Sequence, residues 1–217
     1  MKRNVCMIMA LTGVFLLASG SALALGPVDV EGRVMYWQGD TDVDDAVADM
    51  DGYGAEFDLW FTNKLGVTAA FWSVEGKDMA AGFDKDYMNL DVKWRLFSPT
   101  EHNYLAVGAG YQDTDISTPF GSFDTSGFRL VVEGNVGLVG ILQGYGTLAY
   151  MPSMDELDTE FDTGTAMEYE FGVQVKFAVF GIYAGYRVHD MEWDFSDGPG
   201  SVSLKDDGYV AGVGFEF

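Results

Sequence analysis

The sequence predicts an all-β chain, a transmembrane antiparallel up-and-down β-barrel of ten strands, with eight strands as the alternative count. Three observations predict it. Segments of about 9–11 residues alternate apolar and polar side chains, which is the length and pattern of a tilted strand that crosses a bilayer. The connections between those segments are alternately short and long. The closing segment puts Tyr209, Ala211, Val213, Phe215 and Phe217 on one face and Val210, Gly212, Gly214 and Glu216 on the other.

The first expected strand, Val28 to Gln38, turns Val30, Val34 and Tyr36 outward and Glu31, Arg33, Met35 and Trp37 inward. The second, Asp51 to Phe61, sends Tyr53, Phe57 and Leu59 to lipid and Glu56, Asp58 and Trp60 inside. Thr62-Asn63-Lys64 is short and polar, as a hairpin turn should be. The third, Leu65 to Glu75, exposes Val67 and Phe71 and turns Trp72 inward. The fourth, Tyr87 to Phe97, exposes Met88, Leu90, Val92, Trp94 and Leu96 and hides Asn89, Asp91, Lys93 and Arg95. Pro99 then ends it, because proline cannot donate to a ladder.

The fifth strand, Tyr104 to Gln112, and the seventh, Ile141 to Met151, are glycine-rich, and demoting them gives the eight-strand alternative. The sixth, Gly127 to Leu138, hides Arg129, Glu133 and Asn135, and Val139-Gly140 closes a tight turn. In the eighth, Met167 to Phe177, Tyr169, Phe171, Val173 and Val175 face out against Glu168, Glu170, Gln174 and Lys176. Ala178-Val179 turns the chain into the ninth, Phe180 to about Met191, which hides Tyr183, Arg187 and His189. Tyr209 to Phe217 is the tenth. The long connections, Gly39 to Met50, Gly76 to Asp86, Asp113 to Ser126, Pro152 to Ala166 and Glu192 to Asp207, read as acidic loops at one end of the barrel.

Residues 1–24 read as a secretory signal: Lys2 and Arg3 precede an apolar run, and Ala22-Leu23-Ala24 is a small-x-small cleavage site. The barrel domain would then be 25–217. The lone cysteine, Cys6, lies in the discarded segment, so no disulfide, thiol nucleophile or cysteine metal site is expected in the mature chain. The net charge of −22 argues against nucleic acid as a partner. No mature apolar run nears the roughly 20 residues of a spanning helix, and a mean hydropathy of +0.05 is what alternating lipid-facing and lumenal rows average to.

The inward rows carry Arg33, Lys93, Arg95, Arg129, Lys176 and Arg187 against Glu56, Asp58, Asp91, Glu133, Glu168 and Glu170, a set expected to pair across a narrow lumen and fill it. Catalysis is not expected. The nearest approach to it is His189 with Asp194 at the outer rim, where a carboxylate could orient an imidazole that activates water. The aspartates of the long connections lack EF-hand spacing, so neither a metal site nor a cofactor is assigned.

The closing segment, with Tyr209, Val213, Phe215 and Phe217, resembles the last strand of Gram-negative outer-membrane β-barrels, and Gly185-Tyr-Arg-Val-His-Asp190 resembles the Gly-Tyr-Arg-x-x-Asp run before the last outer loop of many small members of that group. The resemblance implies residence in the outer membrane among lipid and lipopolysaccharide, assembly by machinery that reads the closing strand, and a monomer. The function it implies is structural or surface interaction; a narrow channel or transporter for small, mostly apolar solutes is the alternative. A third reading is a rim hydrolase, since outer-membrane proteases of the omptin kind are also ten-stranded and use an Asp-His pair.

Overall fold

The computed structural model describes residues 28–43, 46–77, 82–100, 103–119, 121–156, 161–196 and 199–217. The expected signal segment, 1–24, lies outside them. Ten strands follow one another: β1 (Asp29–Val43), β2 (Ala46–Trp60), β3 (Leu65–Gly76), β4 (Asp84–Thr100), β5 (Asn103–Thr118), β6 (Gly121–Val139), β7 (Leu142–Met154), β8 (Phe161–Phe177), β9 (Phe180–Phe195) and β10 (Ser201–Glu216). Each pairs antiparallel with its neighbours in the chain, and β10 pairs with β1 to close the barrel. At the seam Val30 and Phe217 exchange backbone hydrogen bonds of 2.9 and 2.8 Å. Closure leaves no edge strand, so the ladders can pair backbone groups all the way round the barrel, as a bilayer demands.

Ten strands, not eight, close the barrel, because glycine-rich β5 and β7 pair with both of their neighbours. Three of the short connections stand within a residue of where the alternation puts them. The fourth does not: β4, expected to end at Pro99, runs through it to Thr100, with its register to β5 broken after Arg95 and after Phe97, beside the proline that cannot donate. The turn between β6 and β7 is one residue later than expected, at 140–141, where Gly140 takes a φ of 59°.

The long acidic loops are mostly not loops. β1 and β2 run through all but residues 44–45 of the stretch read as a connection, and β6 reaches 19 residues, well beyond the roughly 9–11 that span a bilayer. The strands therefore continue into a collar above the membrane. The physical reason is a reversal of polarity. Below the reversal, the outer face is apolar, with Val34, Met88, Leu90, Val92, Phe128, Leu130, Phe171, Val173, Ile182 and Val213 exposed, and the interior is charged. Above it, Asp40, Asp49, Asp113, Asp115, Asp124, Asp190 and Glu192 face out, while Met50, Val74, Ile116, Met154, Met191, Trp193 and Leu204 are buried inside. Tyr36, Tyr111, Tyr150 and Tyr209 stand near this boundary, and Phe61, Phe97, Phe177, Phe180 and Phe217 near the opposite end, as two aromatic girdles. The lower part is a membrane-spanning barrel and the collar is built like a water-soluble one.

Candidate functional site: the lumen

The period of two in every strand delivers one inward row per strand, and ten such rows meet in the bore. Midway, seven side chains form a chain of alternating charge across it: Glu56, Arg33, Glu170, Arg187, Glu168, Arg129 and Asp91. Arg33 reaches Glu56 at 2.9 Å and Glu170 at 3.0 Å. Arg187 holds Glu170 and Glu168, both at 2.8 Å. Arg129 holds Glu168 at 2.8 Å and Asp91 at 3.1 Å, and donates to the Gln112 side-chain oxygen at 3.0 Å. The chain crosses the bore, since Arg33 on β1 meets Glu170 on β8. Planar guanidinium groups suit this arrangement, because each presents several donors to two carboxylates at once. Arg187 also lies 4.1 Å from the Trp72 ring centre and donates to the Tyr87 hydroxyl.

Nearer the periplasmic end, Lys93 bridges Asp58 and Glu133, and Lys176 bridges Glu31 and Glu216. Arg95 stacks 3.8 Å from the Trp60 ring and approaches Asp29 at 3.7 Å. At the collar end, Lys85 pairs with Asp206, which accepts from Thr41 at 2.6 Å. The twelve lumenal residues expected from the sequence all face the interior, while Lys85, Tyr87, Gln112 and Asp206 were missed. Lys85 and Asp206 lie in stretches whose acidity resembles a loop, and only the alternation of β4 and β10 continued past those acids marks them as inward.

Above the charges, two apolar clusters close the collar. One packs Met35, Trp37, Met50, Trp72, Val74, Tyr87 and Val210; the other packs Ile116, Met151, Met154, Ala166, Met191, Trp193 and Leu204. Small cavities of about 10, 30 and 10 Å³ interrupt the lumen packing among the described residues.

His189 is buried beside Gln112, its ring 4.8 Å from that of Tyr87. Asp194 is exposed on the other face of β9, five residues on, so the two do not meet. Tyr209, Val213 and Phe217 all face outward at the seam. No group of three or more His, Cys, Asp or Glu side chains among the described residues is arranged to hold a metal ion.

Outside the collar, carboxylates oppose each other across strand pairs: Asp40 faces Asp49 on one side and Asp207 on the other, and Asp115 faces Asp124. Partial burial, and then the neighbouring Asp49, push the Asp40 carboxyl above its ordinary range. Partial burial and Asp124 do the same to Asp115.

No protein-family model matches the chain, and no curated protein matches its sequence. Solved structures do. The outer membrane protease OmpT from Escherichia coli superposes with a TM-score of 0.50 at 11% identity, over 92% of this chain and 99% of that one. The β domain of the Bordetella autotransporter BrkA gives 0.49 at 13%, over 88% and 98%. Ail, the attachment invasion locus protein of Yersinia pestis, gives 0.35 at 17%, over 87% and 98%. At these identities the likeness is one of fold. With its closed ring of ten antiparallel strands, apolar girdled band and charged interior, the chain has the fold seen in the outer-membrane β-barrel of OmpT.

Proposed function

We propose that this protein is a non-conducting, non-catalytic barrel of the Gram-negative outer membrane, which holds a rigid acidic collar above the lipid for a structural or surface-interaction role. The observation that carries the reading is the packing of the collar interior. Met50, Trp72, Met151, Met154, Met191 and Trp193, each under 2% exposed, close the outer end above a bore already crossed by paired charges. An ion passing through would have to part those pairs and then cross an apolar plug, and both steps oppose conduction.

The separation of His189 from Asp194 supports the non-catalytic part of the reading. The acidic collar leaves lipopolysaccharide phosphates to be approached through divalent counter-ions, and the outward Tyr209, Val213, Phe215 and Phe217 are the side chains the assembly machinery would read. The protein works as a monomer, its apolar band covered by lipid. Planar-bilayer recording tests the reading. The purified barrel is expected to give no discrete conductance steps, and Met151→Gly with Met154→Gly to introduce small ones; regular steps in the unaltered protein, abolished by bulky lumenal substitutions, would establish the channel instead.

A further inference from the structure

The periplasmic half of the lumen is short of positive charge. Arg33, Lys93 and Lys176 each answer two carboxylates. Carboxylates from each of these sets, Glu31, Glu56, Asp58 and Glu133, wall a cavity of about 30 Å³, with Arg33 as its one lining cation among the described residues. Its mouth lies toward the periplasm, where the Glu31 and Glu216 side chains are 23% and 30% exposed.

A second observation is independent of charge. The side-chain oxygens of Gln174 and Asn135, residues 2% and 8% exposed, line this cavity and accept no hydrogen bond from the protein. The Gln174 amide nitrogen is already committed, donating to Gln143 at 2.9 Å, which leaves the oxygen as its unpartnered end. Buried acceptors of this kind call for an N–H or O–H donor. The rings of Tyr104, Tyr145 and Tyr183 are part of the wall, and in this lumen each already faces a cation, Tyr104 facing Arg95 at 4.6 Å and Tyr145 and Tyr183 facing Arg33 at 5.2 and 5.8 Å.

A fitting ligand is positive, rich in donors and small, since 30 Å³ admits about two water-sized groups. The described carboxylates do not converge as a metal cage, which turns the choice from a bare metal ion to nitrogen. We propose that this cavity binds a primary ammonium group, free or at the end of an alkylamine, that enters from the periplasm. Its three N–H or more bonds would reach Gln174, Asn135 and the surplus carboxylates, with the tyrosine rings beside it.

Calorimetric titration of the purified barrel in detergent with methylammonium chloride, with tetramethylammonium chloride and calcium chloride as comparisons, tests it. Saturable one-site binding is expected for methylammonium alone. Gln174→Leu and Asn135→Leu should each weaken it by about tenfold, as loss of one charge-assisted hydrogen bond does, while Met151→Leu in the collar should not. Nuclear Overhauser contacts from bound methylammonium to the Tyr104, Tyr145 and Tyr183 rings locate the ligand without any substitution. Absence of saturable binding, an equal response to tetramethylammonium or calcium, or unchanged affinity in the folded leucine variants overturns the proposal, and so does a methyl group in contact with rings other than those of Tyr104, Tyr145 and Tyr183.

Discussion

Arg187 is the side chain on which the lumen converges. It bonds Glu168 and Glu170, donates to Tyr87 and stacks on Trp72, all in a bore closed to bulk water at its outer end. Removing it would leave Glu168 to Arg129 alone and Glu170 to Arg33 alone, so two buried carboxylates would each lose one of two cations, and breaking a buried pair costs about 3–5 kcal/mol. Arg187→Met is therefore expected to lower the urea midpoint of unfolding by that equivalent. Lys176→Met removes pairs whose partners Glu31 and Glu216 are 23% and 30% exposed, and water can take over both carboxylates there, so a loss under about 1 kcal/mol is expected. Equal losses at the two sites would show that burial does not set the strength of the lumenal pairs. Adding Glu168→Gln to Arg187→Met should recover part of the first loss, because the second change removes a buried charge left with only Arg129 to balance it.

At the scale of strand pairs, β2 and β3 are held close by two tryptophan-over-glycine contacts. Trp72 lies opposite Gly54 and Trp60 opposite Gly66, and a Cβ at either glycine would sit 2.5 Å from the facing indole. The ring covers the missing side chain, and any substituent must push it into the packed bore. Gly54→Ala is expected to cost about 1–3 kcal/mol by overpacking, read as a lowered urea midpoint. A neutral result would mean that the Trp72 ring can move freely. The collar strands carry the opposite kind of contact, unfavourable at neutral pH. Asp40 between Asp49 and Asp207 holds its proton more tightly folded than unfolded. The folded state then binds more protons between the ordinary aspartate value and the raised one, so collar stability rises as pH falls through that window and is lost as pH climbs back. Hydrogen exchange of the outer amides of β1, β2 and β10, corrected for intrinsic rates, should show protection growing toward acid. Asp40→Asn should flatten that slope, and an unchanged slope would remove Asp40 as its cause.

For the whole molecule, the membrane half was legible because hydrocarbon outside and charge inside leave a period of two that no loop imitates, as Met88 to Leu96 against Asn89 to Arg95 shows. The collar was not, because there the same alternation is inverted: Asp113, Asp115 and Asp124 on the water side resemble loop acids unless Thr114, Ile116 and Thr125 between them are recognised as inward. Lys85 and Asp206 went unassigned for the same reason. Which carboxylate each arginine takes depends on neighbours across the bore, and no spacing in the chain encodes that. The two-zone architecture makes a test that uses the five tryptophans as they stand. Trp37, Trp60, Trp72 and Trp193 are buried inside, while Trp94 alone faces outward, 48% exposed on the apolar band. In bilayers of lipid brominated along the acyl chain, bromine can reach only a ring that touches hydrocarbon. Quenching should therefore fall on Trp94, and Trp94→Phe should remove most of it, while Trp37→Phe and Trp193→Phe leave it in place. Strong quenching that survives in Trp94→Phe would mean that lipid reaches the interior rows, and the assignment of inside and outside would have to be reversed.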